Sequence, residues 1–250
     1  MQAGDEGSSG LCVRGGSSDQ NLLLLDGTPI YNALLLFGFF SVFNVDAIKN
    51  VELIKRGLLA RYGGRLSSVV DITMKEGSMQ KLHGEGDIGL IAKRMTVEGP
   101  IKKVTASFIF SARRTFIDTL ARPIIKAKAN GAIVGYYFYD LNGKLNWKLS
   151  PRDRLYLSGY LGRDEFYAND KTTRDHGDYS MQNSAQGWGN CTAALRWNYV
   201  VNDRLFLNTH LTYTRATNST WASRRGTATP PTARPGSTSS HSVTCRTFRT

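Results

Sequence analysis

The chain has 250 residues, 41% of them hydrophobic, with a mean hydropathy of -0.30 and a net charge of +12. That length supports one or two domains with a real core. Its longest apolar run, Ala33 to Phe43, is 11 residues long, whereas a membrane-spanning helix needs about 20 and a membrane-spanning strand about 9–11, so a helical membrane protein is excluded and a β-barrel is not.

The first 20 residues are small and polar, with a turn at Arg14-Gly15-Gly16. Leu22 to Leu25 form a short apolar strand closed by Asp26-Gly27, a tight-turn signal because glycine accepts φ > 0. Ala33 to Phe43 lacks a period of two and reads as helix or buried loop. Val51 and Leu53 alternate with Asn50 and Glu52, and after Arg61-Tyr62-Gly63-Gly64-Arg65 the alternation resumes with Ser68, Val70, Ile72 and Met74 on one face. Lys75 to Ser78 ends a first domain, residues 1–77.

From about residue 81 the segments alternate, run about ten residues, and are rich in glycine and aromatics. Leu82 to Leu90, Arg94 to Val97 (ended by Gly99-Pro100) and Thr105 to Ser111 read as strands. Residues 113–129 read as a long loop with some helix. An internal repeat follows: LNWKLSPRDRLYLSGYL (145–161) aligns with LRWNYVVNDRLFLNTHL (195–211), matching Trp147 to Trp197 and Asp153-Arg154-Leu155 to Asp203-Arg204-Leu205. Each unit is a strand, a short polar turn and a strand. Leu155, Leu157, Gly159 and Leu161 face one way, and Tyr156, Ser158 and Tyr160 the other. Trp147 and Tyr199 lie near the turns, where a barrel carries its aromatic girdle. Long polar connections such as 162–187 oppose the short turns. A soluble β-sandwich also alternates, so both architectures stand. Residues 222–250 lose periodicity and read as a low-complexity tail, disordered or translated out of frame.

Charge is distributed unevenly. Residues 1–77 carry 7 Lys and Arg against 8 Asp and Glu, whereas residues 78–221 carry 20 against 12. No compact basic patch with interleaved aromatics is visible, so no nucleic acid is expected as a partner. Cys12, Cys191 and Cys245 are isolated, and His83, His176, His210 and His241 are scattered without metal-ligand spacing. Gly84 to Gly89 spells G-x-G-x-x-G, but a dinucleotide site needs a strand before it and a helix after, and Gly99-Pro100 would break that helix. Asp175-His176 beside Asp178 lies in a polar loop. No nucleophile elbow, phosphate loop or framed carboxylate pair is present. No catalytic residue, metal or cofactor is therefore assigned, and an enzyme is not expected.

Several segments together resemble TonB-dependent outer-membrane receptors. SSGLCVRGGSSDQNLLLLDGTPIYN (8–32) is similar to the family's Arg-Gly-Gly turn and Leu-Asp-Gly-x-Pro segment. LFGFFSVFNVDAIKNVELIKRG (36–57) and ARYGGRLSSVVDITMKEG (60–77) resemble the end of its plug domain, and residues 82–111 resemble the first barrel strands of the carboxypeptidase-like-domain subgroup. The resemblance covers about residues 7–215. It implies a mainly β fold: the C-terminal part of a plug in residues 1–77, then about seven antiparallel strands of an incomplete transmembrane β-barrel in residues 78–221. It also implies outer-membrane lipid and, for the intact family, the TonB complex as partners, in energised uptake of a scarce ligand that the sequence leaves unknown. Arg14, Gly15, Gly16, Asp26, Gly27, Arg61, Tyr62, Gly63, Gly64 and Arg65 become a structural plug motif, its arginines pairing with carboxylates of the barrel wall.

The opening MQAGDEGSSG has no basic or apolar stretch, so no signal peptide is expected there. The TonB-contacting box is not found either. The expectation is thus a receptor truncated at both ends and unable to transport. The alternative is a soluble basic β-rich module that binds anionic polymers.

Overall fold

The computed structural model describes residues 2–3, 11–12, 20–31, 34–35, 40–41, 44–54, 68–89, 91–116, 118–120, 133–173, 179–228 and 239–245. They form two compact units. The first comprises Met1–Arg114, Phe138–Arg163 and Gly189–Ala216, and the second Thr115–Tyr137, Asp164–Trp188 and Thr217–Thr250.

The N-terminal part of the first unit opens with a two-residue pairing of β1 (Gln2–Ala3) and β2 (Leu11–Cys12). A four-stranded sheet follows, built from β3 (Asn21–Leu25), β4 (Thr28–Pro29), β7 (Ile48–Ile54) and β8 (Ser68–Met74) in the order β4-β3-β8-β7. Strand β8 is central, parallel to β3 and antiparallel to β7. Its Val69, Val70, Ile72 and Met74 are buried together with Leu24 and Leu25 of β3, so both faces of the central strand contribute to the core. A strand covered on both sides reads as a nearly continuous apolar run, as Val69-Val70 does. Within Ala33 to Phe43, expected as helix or buried loop, β5 (Leu34–Leu35) pairs antiparallel with β6 (Phe40–Ser41). A single 3-10 turn at Val45–Ala47 is capped by Asn44, whose side chain accepts from the Asp46 amide at 3.2 Å.

The second sheet has the order β16-β15-β14-β13-β12-β11-β10-β9. Its strands are β9 (His83–Ile88), β10 (Ala92–Lys102), β11 (Ala106–Thr115), β12 (Ile133–Ser150), β13 (Asp153–Thr173), β14 (Tyr179–Asn202), β15 (Leu205–Ala228) and β16 (Ser239–Cys245). Sequence neighbours are sheet neighbours throughout, an up-and-down meander. The fold is mainly β, as the pattern of the sequence indicates.

These strands outrun their apolar pattern. Strand β10 continues through Gly99-Pro100, and β13 and β14 extend to 21 and 24 residues, taking in most of the connection expected over 162–187. The ladder is made by backbone groups, so it continues where side chains on both faces are polar and no hydropathy signal remains. Likewise β15 runs past Trp221 to Ala228, and β16, within the tail segment, pairs with it from Ala222↔Cys245 to Ala228↔Ser239.

In the second unit, Thr119 and Leu120 donate backbone N–H groups to Phe116 O at 3.1 Å each, forming a helical turn in the region expected to contain one. Tyr137 and Tyr167 pack with centroids 6.5 Å apart, and Ser219 Oγ donates to Gly187 O at 3.4 Å.

Candidate functional site

The faces of β12 are inverted relative to a soluble sheet. Asp140, Asn142, Lys144 and Asn146 are 0–3% exposed, whereas Leu145, Trp147 and Leu149 of the opposite face are 40–53% exposed. Strand β13 repeats the pattern, burying Tyr156, Ser158 and Tyr160 and exposing Leu157 and Leu161. In β14 Asn190 and Thr192 are buried while Leu195 and Trp197 are exposed. Water would reward the opposite arrangement; lipid outside and a polar filling inside reward this one.

The filling is the N-terminal sheet, and the contact centres on Asp26. Asp26 and Gly27 occupy the turn between β3 and β4 at φ 48° and 79°. Both values are positive, as a two-residue type I′ hairpin requires, and aspartate tolerates them better than most residues. The turn aims the carboxylate at the wall. Asp26 Oδ1 accepts from Met74 N at 3.1 Å and from Lys144 Nζ at 3.0 Å, and the same ammonium donates to Met74 O at 3.1 Å. The two side chains are 5% and 1% exposed, so water barely screens the pair. Tyr156 of β13 receives Lys144 Nζ at 5.7 Å and the Arg196 guanidinium at 4.5 Å from its ring centroid. Thr214 Oγ1 of β15 donates to Pro29 O at 2.9 Å, and His210 lies against Gly27.

Further contacts join the same two sheets. Asp46 meets Arg94 of β10 at 3.4 Å, Ser107 Oγ of β11 donates to Glu76 O at 2.8 Å, and Asn146 Nδ2 donates to Glu76 Oε2 at 3.2 Å. Asn44 Nδ2 donates to Ser111 Oγ, which also accepts from Thr96 Oγ1 at 3.0 Å. Among the described residues, the charged contacts between these two sheets run from N-terminal carboxylates to wall cations, Asp26 to Lys144 and Asp46 to Arg94. The uneven charge of the two segments was the sequence signal for it. The wall carboxylate Asp140 is taken by a wall cation: Arg113, directly opposite it in the ladder, approaches to 2.6 Å. Arg14, Gly15, Gly16, Arg61, Tyr62, Gly63, Gly64 and Arg65 lie outside the described residues. Among the described residues no cluster of three or more His, Cys, Asp or Glu could hold a metal. The contacts on the described residues hold one chain segment against another.

Residues 1–70 match the family model of the TonB-dependent Receptor Plug Domain. It is the N-terminal segment, residues 1–70 of the 250, that carries this family match. The match ends at Val70, within β8, and the plug strand itself continues to Met74. Among solved structures, the chain is similar to a mutant of the ferric enterobactin receptor PfeA from Pseudomonas aeruginosa, at 17% identity and a TM-score of 0.43 over 92% of this chain and 46% of that one. It is also similar to the siderophore receptor PirA from Acinetobacter baumannii, at 15% identity and a TM-score of 0.40 over 88% and 42%. The chain thus spans less than half the length of these receptors. No curated protein sequence matches it. The assignment rests on residues 1–70.

Proposed function

We propose that this chain supplies the end of the plug and the first wall strands of an outer-membrane transporter, whose role is the energised uptake of a scarce ligand. The observation that carries the reading is the inverted pattern of β12, with Lys144 inside on Asp26 of the plug and Trp147 and Leu149 outside. That pattern supports an outer-membrane location and lipid as a partner. In such a transporter the TonB complex pulls on the plug, and the pull works against contacts like Asp26–Lys144. A buried pair resists separation, because each charge loses its partner before water reaches it.

The 250 residues alone do not transport on this reading, because among the described residues the strand order runs from β9 to β16 without pairing these two edges. Against the soluble polymer-binding module stands the exposed apolar face, which would drive aggregation in water. The test is to export the chain into receptor-null cells behind a signal sequence. The protein should sediment with the outer membrane, require detergent for release and give no energised ligand uptake. A soluble periplasmic monomer would overturn the membrane location. Energised uptake would overturn the transport-incompetent reading.

A further inference from the structure

Among the described residues, Lys144 and Arg94 form ion pairs with the N-terminal sheet, and four other cations of residues 78–221 gather at the short-turn end of the wall. Lys102 and Lys103 occupy the β10–β11 turn, Arg152 the β12–β13 turn and Arg204 the β14–β15 turn, all exposed. Backbone hydrogen bonds make these turns neighbours: Lys148 N donates to Thr105 O at 2.8 Å and Val200 N to Arg152 O at 2.9 Å. Among the described residues none of the four cations has a carboxylate partner. The nearby Asp153 is engaged, its Oδ1 accepting from Trp197 Nε1 at 2.6 Å. Directly beside the cations, on the outer face, stand Trp147, Leu149 and the stacked pair Trp197–Tyr199, with centroids 5.8 Å apart.

Resting on the membrane reading above, we propose that this turn end is a cationic collar for the phosphates of an anionic lipid surface. Apolar side chains just above a row of cations with no carboxylate partner among the described residues match a lipid leaflet, with acyl chains against Leu149 and the aromatics and phosphates level with the turns. A free polyanion would use the cations but leave the aromatic and leucine belt uncovered. The lipid surface uses both. Lysine and arginine stems lie along apolar surface while their heads reach the phosphates.

The test is flotation of the full chain with vesicles of phosphatidylcholine alone and of an equimolar mixture with phosphatidylglycerol. The native chain should float with both and partition more strongly to the mixture, with the increment lost at high salt. Each cation near an anionic surface contributes about 5-fold in partitioning. Acting independently, the four would together contribute about 600-fold, so the variant carrying Lys102→Gln, Lys103→Gln, Arg152→Gln and Arg204→Gln should lose most of the increment and still float with phosphatidylcholine. Equal flotation of native chain and variant with both vesicles would overturn the collar while leaving the membrane reading intact. Flotation with neither vesicle would overturn the membrane reading and the collar together. Should the variant fail to float with phosphatidylcholine, the native salt titration decides: an increment that survives high salt overturns the collar. A native chain that leaves the mixed vesicles for a single-stranded oligonucleotide overturns it as well.

Discussion

Asp26 and Lys144, 118 residues apart in the chain, close a buried triangle with the backbone of Met74. The carboxylate takes the Met74 amide, the ammonium takes the Met74 carbonyl, and the two meet at 3.0 Å. One wall lysine is thereby fixed to a plug turn and to a plug core strand at once.

Removing one member leaves the other charge buried without its partner, which typically costs about 3–5 kcal/mol. Lys144→Met should therefore destabilise strongly. Asp26→Asn keeps an acceptor for the Met74 amide and tolerates the positive φ, so it isolates the loss of charge. The double variant should cost clearly less than the sum of the two, a coupling on the order of 1–3 kcal/mol. Guanidinium unfolding of vesicle-bound protein, followed by tryptophan fluorescence, reads the cycle. Strict additivity would mean that the pair carries no net attraction.

How much of this was legible beforehand differs by element. The two faces of β13 were readable from period-two alternation, because each side chain's fate depends on its own strand. The Asp26-Gly27 turn was readable because only a few residues tolerate its backbone. Strand length was not: residues 162–173 pair through the backbone, and their side chains carry no pattern. The Lys144–Asp26 contact was also hidden, since nothing local marks a lysine as inward-facing when its partner is 118 residues away. The charge imbalance of the two segments is the sequence feature that agrees with carboxylates of residues 1–77 meeting cations of residues 78–221. The repeat likewise gave two equivalent hairpins. It did not reveal that Trp197 of the second hairpin binds Asp153 in the turn of the first.

Two glycines at positive φ should differ in their response to alanine. At Gly27, φ is 79° and an added Cβ would lie 2.6 Å from His210 Cε1. Backbone strain costs about 1–2 kcal/mol, but the ring can shift. At Gly77, φ is 77° and the added Cβ would meet the Phe108 carbonyl, which is backbone and cannot. Gly77→Ala should be the more damaging by the same unfolding assay. His210→Ala should recover part of the Gly27→Ala loss and none of the Gly77→Ala loss.

Val104 presents the reverse case. It holds φ 66° in the β10–β11 turn with an exposed side chain, a conformation costly for a β-branched residue. Val104→Gly should raise stability by about 1 kcal/mol, the strain relieved exceeding the entropy glycine adds to the unfolded chain. A lowered unfolding midpoint would mean that the valine side chain contributes more at the membrane surface than its backbone strain costs.

Leu157→Lys distinguishes the two architectures that the sequence alone left open. In a soluble sheet this exposed position on β13 would accept lysine at almost no cost, since surface substitutions usually stay within about 0.5 kcal/mol, and solubility would rise. On a wall facing lipid the same charge costs about 2–4 kcal/mol near the membrane centre and about 0–1 at its edges. Leu157 lies four residues into a strand that begins at Asp153, so a penalty between those limits is expected, with reduced vesicle insertion. Leu161→Lys, two repeats of the alternation further from the short-turn end, should cost more than Leu157→Lys. That ordering is a property of depth: a soluble sheet gives no reason for it, and a membrane wall requires it.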